Sequence, residues 1–186
     1  MQLQHLKKRC LVKLKHLKIK GFKNLTGENQ WFELDFTDKD GITVLIGNNG
    51  SGKSNVLEAL SAIFIGLYKI GTPQRKPTFS YSIEYSIGTE VVTDIKIELI
   101  NGTYGFYLND VKELKKDFFE WADKWLPSKI IACYSGEETR LWETYYKHSY
   151  SDFITSIKNN ELRYLPEQKL FYIDGGYWNE DRKSVV

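Results

Sequence analysis

The chain has 186 residues, of which 41% are hydrophobic and 27% charged, and its net charge is +2. That length allows one domain or one lobe of something larger, and the apolar content is enough for a core, which excludes wholesale disorder. Apolar runs of only a handful of residues exclude a helical membrane span, and lysines interrupt the N-terminal stretch, so no secretory leader is expected.

The charge is unevenly spread. Lys7, Lys8, Arg9, Lys13, Lys15, Lys18, Lys20 and Lys23 put eight cations and no acid into the first 23 residues. A basic leader over residues 1–16 is expected, either as a solubilising segment or as a surface that touches nucleic acid. Cys10 and Cys133 form neither a metal-ligand spacing nor a disulfide framework, which fits two free thiols in a reducing cytoplasm.

Leu17 to Phe22 alternates apolar and basic residues, the pattern of a half-buried strand, and Trp31 to Phe36 alternates next. Ile42 to Ile46 is a short apolar run that predicts a strand covered on both faces. From Ser54 the period changes: Val56, Leu57, Leu60, Ile63, Phe64 and Leu67 fall at helical spacing, and Gly71-Thr72-Pro73 stops the helix. Phe79 to Ile87, Ile95 to Leu99 and Tyr104 to Leu108 alternate as three strands, the last two joined by Asn101-Gly102, both of which tolerate positive φ. An antiparallel meander over about 78–109 is therefore predicted. A helix is expected over Leu114 to Trp125, ended by Pro127, then a buried strand at Ile130 to Tyr134, a helix at Glu137 to Lys147, and a last strand at Leu170 to Ile173.

The run G-N-N-G-S-G-K-S, Gly47 to Ser54, carries the strongest signal. It matches G-x-x-x-x-G-K-[ST] and lies between a predicted strand and a predicted helix, a context that a chance glycine turn lacks. Glycines let phosphate approach the backbone, and amides from Asn49 to Ser54 can then wrap it. The helix start near Lys53 adds unpaired donors and partial positive charge. Lys53 supplies a full charge at the β- and γ-phosphates, and the Ser54 hydroxyl is placed to ligate Mg²⁺. ATP and Mg²⁺ are the expected cofactors.

Three pieces, L-K-I-K-G-F-K-N-L (17–25), F-E-L-D-F (32–36) and I-G-N-N-G-S-G-K-S-N-V-L-E-A-L (46–60), resemble the opening of ABC-class ATPases of the RecF, SMC and OLD kind within the AAA ATPases. That resemblance implies an α/β P-loop NTPase fold of ABC-ATPase type. It would have a mixed central sheet with a P-loop helix and an antiparallel subdomain, the lobe spanning 17–186 as the incomplete N-terminal part of a longer protein. It also implies that Lys23 and Asn24 contact the nucleotide, together with Gly47, Asn48, Asn49, Gly50, Ser51, Gly52, Lys53, Ser54 and Asn55. A second stretch, L-P-S-K-I-I-A-C-Y-S-G-E-E-T-R-L-W (126–142), resembles a segment of ATPases from prokaryotic restriction-associated and anti-phage systems.

The parts needed for hydrolysis are not legible. Leu170 to Asp174 has the shape of a Walker B strand and makes Asp174 a candidate for Mg²⁺, but Gly175-Gly176 follow where a catalytic Glu would stand. Tyr134-Ser135-Gly136-Glu137-Glu138 echoes an L-S-G-G-Q signature with Glu in place of the second Gly; Ser135 and Glu138 read better as a helix capping box. Gln168 is a candidate for the glutamine that links the two lobes in that family, and His148 reads as a surface or packed residue. Trp121 and Trp125 read as core. Tyr145, Tyr146, Tyr150 and Tyr164, interspersed with Lys147, Lys158 and Arg163, make a candidate nucleic-acid surface.

The resemblance implies an ATP-dependent homodimer that controls a nucleic-acid-processing or defence machine, with a nuclease effector or nucleic acid as partner, no membrane, and a cytoplasmic location. ATP hydrolysis is expected only if a C-terminal half or a partner completes the site. A non-hydrolysing nucleotide switch is the alternative. A transporter ATP subunit or small P-loop kinase is a third reading, but neither an adenine-stacking aromatic near the start nor an arginine-rich lid stands out.

Overall fold

A computed structural model describes residues 11–37, 43–69, 76–134, 139–158 and 168–174. The chain divides into two compact units, residues 1–56 with 77–127 and residues 57–76 with 128–186.

The first unit is organised by a six-stranded antiparallel sheet of order β2-β1-β3-β4-β5-β6. Its strands are β1 (Leu11–Lys20), β2 (Trp31–Asp35), β3 (Ser80–Gly88), β4 (Val92–Ile100), β5 (Thr103–Leu108) and β6 (Val111–Glu113). Alternation puts one apolar row straight across it. Leu34 faces Leu17, Leu17 faces Ile83, Ile83 faces Ile97, and Ile97 faces Phe106. Leu17, Ile83 and Ile97 are fully buried and Phe106 nearly so. Each such side chain contributes about 1.5–3 kcal/mol of burial. Phe106 stacks on Phe118 of the short helix α2 (Lys115–Glu120), ring centroids 4.7 Å apart.

The predicted meander is present, but it belongs to a larger sheet in which the two opening strands also pair. β1 begins at Leu11, well before Leu17, and pairs with Gly88 at that end. The Asn101-Gly102 turn has φ of 48° and 80°, as the dipeptide predicts. A second tight hairpin turns at Asn109-Asp110, φ 48° and 66°, and adds the short strand β6. The single helix expected over Leu114–Trp125 is two pieces, α2 and α3 (Ala122–Trp125), interrupted at Trp121 (φ −116°, ψ 27°). The break comes before a segment that is anchored separately: Tyr85 donates to the Trp125 carbonyl at 2.8 Å, and Leu126 is buried.

The strand expected at Ile42–Ile46 is not formed over the described residues 43–46. Val44 is 72% and Ile46 91% exposed. A doubly covered strand needs hydrogen-bonded neighbours on both flanks, and no described strand pairs with this segment. The central sheet among the described residues is thus antiparallel rather than mixed.

The second unit contains most of α1 (Lys53–Tyr68), a helical stretch over 140–158, and a two-stranded parallel sheet of β7 (Ile130–Tyr134) and β8 (Leu170–Asp174). The helical stretch runs past the expected end at Lys147. It opens with a π turn at Trp142–Tyr146 and continues as α4 (Lys147–Lys158). Ile65, Leu141, Tyr146 and Leu170 form its core. The sequence predicts β7 as a buried strand, but Ile131 and Cys133 are exposed, so it has one covered face. Glu137 and Glu138, where the second helix was expected to start, lie outside the described residues, as do the basic residues up to Cys10.

Candidate functional site

The loop from Gly47 to Gly52 leads directly into α1, whose first residue is Lys53. Gly50 and Gly52 adopt φ of +83° and +95°, the left-handed region that side chains resist. Gly52 is constrained twice, because a Cβ there would lie 2.8 Å from Leu25 Cδ2 and 3.2 Å from Asn24 Oδ1. A turn inside the loop is closed by the Ser51 amide donating to the Asn48 carbonyl at 3.1 Å.

The first helical bond of α1 runs from the Val56 amide to the Gly52 carbonyl at 3.0 Å. The amides of Lys53, Ser54 and Asn55 therefore belong to the first turn, where a helix offers donors rather than using them. No acid stands in that turn to offset its partial positive charge. Lys53 Nζ donates to the carbonyls of Gly47 at 2.7 Å and Asn48 at 2.8 Å, so the ammonium lies over the loop itself. Asn48, Asn49, Gly50, Ser51 and Ser54 are exposed. The arrangement sets the first-turn amides of α1 and one ammonium at the loop, which can hold a multiply charged phosphate chain.

The turn after β1 joins this loop. Gly21 and Lys23 take φ of +80° and +48°, and the Leu25 amide closes the turn on the Phe22 carbonyl at 3.0 Å. Leu25 is buried and sits against Gly52. Asn24 Nδ2 donates to the Gly50 carbonyl at 2.7 Å, and Asn55 Nδ2 donates to Asn24 Oδ1 at 2.6 Å. The carboxamide of Asn24 thus ties the loop apex to the first turn of α1. Lys23 is adjacent and exposed, with its ammonium 5.5 Å from the Phe22 ring centroid.

Of the residues expected in the loop and first turn, Gly50, Gly52 and Asn55 meet Asn24 directly. The expected site residues outside it are not brought to it by any described contact. Asp174 ends β8, in register with Tyr134. Gln168 donates to the Leu170 carbonyl at 3.1 Å. His148 lies in the first turn of α4. Ser135 and Glu138 fall outside the described residues. Among the described residues no cluster of three or more His, Cys, Asp or Glu side chains could hold a metal ion.

One feature escaped the sequence. Glu58, one turn into α1, is buried, and its carboxylate accepts from Arg140 Nη2 at 2.8 Å. The signal was an acid inside an apolar helical stripe, which demands a partner. No described helix is long and apolar enough to cross a membrane.

Residues 16–182 match the family described as "AAA domain". The chain is also 36% identical over 76 residues to the DNA replication and repair protein RecF of Chlorobium luteolum, which is 41% of this chain and 19% of that protein. It is 54% identical over 48 residues to the DNA double-strand break repair Rad50 ATPases of Methanosarcina mazei and Methanosarcina acetivorans, in each case 25% of this chain and 4% of the relative. The chain therefore spans a minor part of the relatives it resembles. A family match over most of the chain makes it a member of the AAA domain family, with partial similarity to RecF and Rad50.

Proposed function

We propose that this chain is the ATP- and Mg²⁺-binding lobe of an ATPase of the RecF and Rad50 kind, whose nucleotide state drives a homodimer controlling a nucleic-acid-processing or defence complex in the cytoplasm. The observation that carries the reading is the join between three separate sequence pieces. Asn24 from the first strand's turn, Gly50 at the loop apex and Asn55 on the helix share one hydrogen-bonded relay. A glycine turn with no ligand to serve needs no such brace.

In this reading the amides of Asn49 to Ser54 hold the β-phosphate once Ser51 releases the Asn48 carbonyl, Lys53 turns from the Gly47 and Asn48 carbonyls to the β- and γ-phosphates, and Asn24 braces the loop apex. Lys23, Gly47, Asn48 and Asn55 complete the pocket wall. Ser54, exposed at the start of α1, fits a Mg²⁺ ligand, and the metal when bound neutralises phosphate charge. Asp174, at the end of β8, is the candidate acidic ligand for Mg²⁺. Turnover is expected where a further segment or a partner subunit completes the site.

Calorimetric titration with ATP and Mg²⁺ tests this directly. Lys53→Ala should lower ATP affinity at least tenfold while leaving the fold intact, and binding should weaken in EDTA. Unchanged affinity in the variant would overturn the site. Turnover of radioactive ATP by the purified chain, where it is seen, separates an ATPase from a switch that only binds. Turnover abolished by Lys53→Ala would exclude the switch.

A further inference from the structure

We propose that the second unit carries a separate pocket for a nucleobase, formed where the π turn and α4 meet β8. The cavity has a volume of about 360 Å³ and is lined by Trp142, Tyr146, Tyr150, Gln168, Phe171 and Tyr172. None of these residues belongs to the glycine loop or to the turn that braces it.

The helical side of the cavity is a consequence of spacing. Trp142, Tyr146 and Tyr150 are four residues apart in succession. In a regular α-helix such a row drifts around the axis, since four residues overshoot a turn. The π turn at Trp142–Tyr146 takes more residues per turn and reduces the drift between the first two rings. Trp142 therefore faces both Tyr150 and Tyr172, at ring-centroid distances of 5.8 and 5.6 Å. Tyr146 lies 5.5 Å from Tyr172 and closes the floor.

These distances decide what can enter. Rings less than 6 Å apart and tilted by 36–57° leave no room for a flat group between them. They form a continuous angled wall, against which a planar ligand stacks with one face. The Tyr146 hydroxyl is already committed to Ser61 at 3.0 Å, so the floor offers an apolar ring. The polar contribution comes from Gln168. One amide hydrogen is used on the Leu170 carbonyl, and a carboxamide retains a second donor and an acceptor oxygen. A π wall with one donor and one acceptor at its edge matches a nucleobase.

Charge argues against the other ligand that aromatic walls select, a quaternary ammonium. Lys129 Nζ lies 5.8 Å from the centroid of the Phe171 ring. A cation beside the wall repels a cationic guest and attracts the phosphate that accompanies a base. A base could come from a single strand or from a free nucleotide, and the two differ in whether neighbouring phosphates contribute.

The test uses the full chain carrying Lys53→Ala, so that binding at the glycine loop does not report. Fluorescence anisotropy with labelled dT12 and calorimetry with AMP are the two probes. Binding of either that Tyr150→Ala weakens supports the pocket, dT12 at least tenfold tighter than AMP assigning it to a single strand and a smaller difference to a free nucleotide. Tyr150 is 46% exposed and can be changed without opening the core. Tyr150→Ala should weaken the bound probe roughly tenfold, while Tyr150→Phe keeps it, because stacking uses the ring. Gln168→Ala should weaken AMP more than it weakens dT12. Absence of binding by both probes, or binding indifferent to Tyr150→Ala and to Trp142→Ala in folded protein, would overturn the pocket. Either result leaves the glycine-loop reading untouched, since that is judged with Lys53 in place.

Discussion

The two units reach their cores by different routes. In the first, each of β3, β4, β5 and β6 pairs with the strand next to it in sequence, and connections of two or three residues set the register. In the second, β7 and β8 are parallel and separated by a long crossover, part of which is helical. An antiparallel hairpin writes its pairing locally, in alternation and turn residues. A parallel pair does not, because its partner is set by how the intervening chain packs. The same split separates rows of fully buried aliphatics such as Ile83 and Ile97 from a small core with polar members, where Tyr146 bonds Ser61 and Arg140 reaches the buried Glu58.

If that contrast is right, the largest loss of stability follows from truncating the sheet's central row. Ile97 is fully buried between Ile83 and Phe106. Ile97→Ala should cost about 2–5 kcal/mol, from lost burial and the cavity left behind. Urea unfolding followed by circular dichroism measures it, and a cost below about 1 kcal/mol would mean the row is not the organising core.

A smaller effect with a larger functional consequence is expected at Gly52. Alanine there must adopt a φ near +95° and meets Leu25 Cδ2. Strain of this kind costs about 1–3 kcal/mol. If the loop relieves it by moving, ATP affinity should fall together with stability. A variant of normal stability and normal affinity would show that the contact with the β1 turn does not shape the loop.

How much of this could be read from the residues follows the same division. The alternation from Phe79 to Leu108 and the Asn101-Gly102 turn were sufficient for the meander. The glycine pattern with its following helical stripe was sufficient for the loop and α1. Asn109-Asp110 could have revealed β6, since both residues tolerate positive φ, but without a glycine the signal was weak. Ile42–Ile46 failed for a physical reason: apolar β-branched residues mark a willing strand, not the presence of a neighbour to pair with. Periodicity does not announce a π turn either, so the alignment of Trp142 with Tyr172 lay beyond a count of spacings. Asn24 entered through family resemblance alone, and only the folded turn connects it to Gly50.

The second unit's tyrosines make its stability depend on pH. Burial, aided by the nearby Glu58 carboxylate, pushes the Tyr145 hydroxyl up to about 12. In the unfolded chain a tyrosine ionises near pH 10. Between those values the folded state keeps a proton that the unfolded state releases, so stability is intact below pH 10 and declines towards pH 12. Tyr68 and Tyr146 are raised in the same direction by burial. Tyr145→Phe should therefore flatten part of the decline in urea midpoint between pH 9 and 11.5 without removing it. An unchanged slope would mean that this hydroxyl is already solvated.

The smallest effect is expected at Ile131, and it bears most directly on the contrast. Ile131 sits in the middle of β7, opposite Phe171, and is 60% exposed. Its neighbour Ile130 packs against the core. Ile131→Thr keeps the branched Cβ that suits a strand and replaces only the outward apolar surface. Little of that surface is removed from water in the folded chain, so the change should cost no more than about 0.5 kcal/mol. The same substitution at a doubly covered position would leave a hydroxyl buried beside a cavity and cost several times as much. A urea midpoint for Ile131→Thr shifted as far as that of Ile97→Ala would mean that both faces of β7 are covered in solution, and the distinction between the two units would fall.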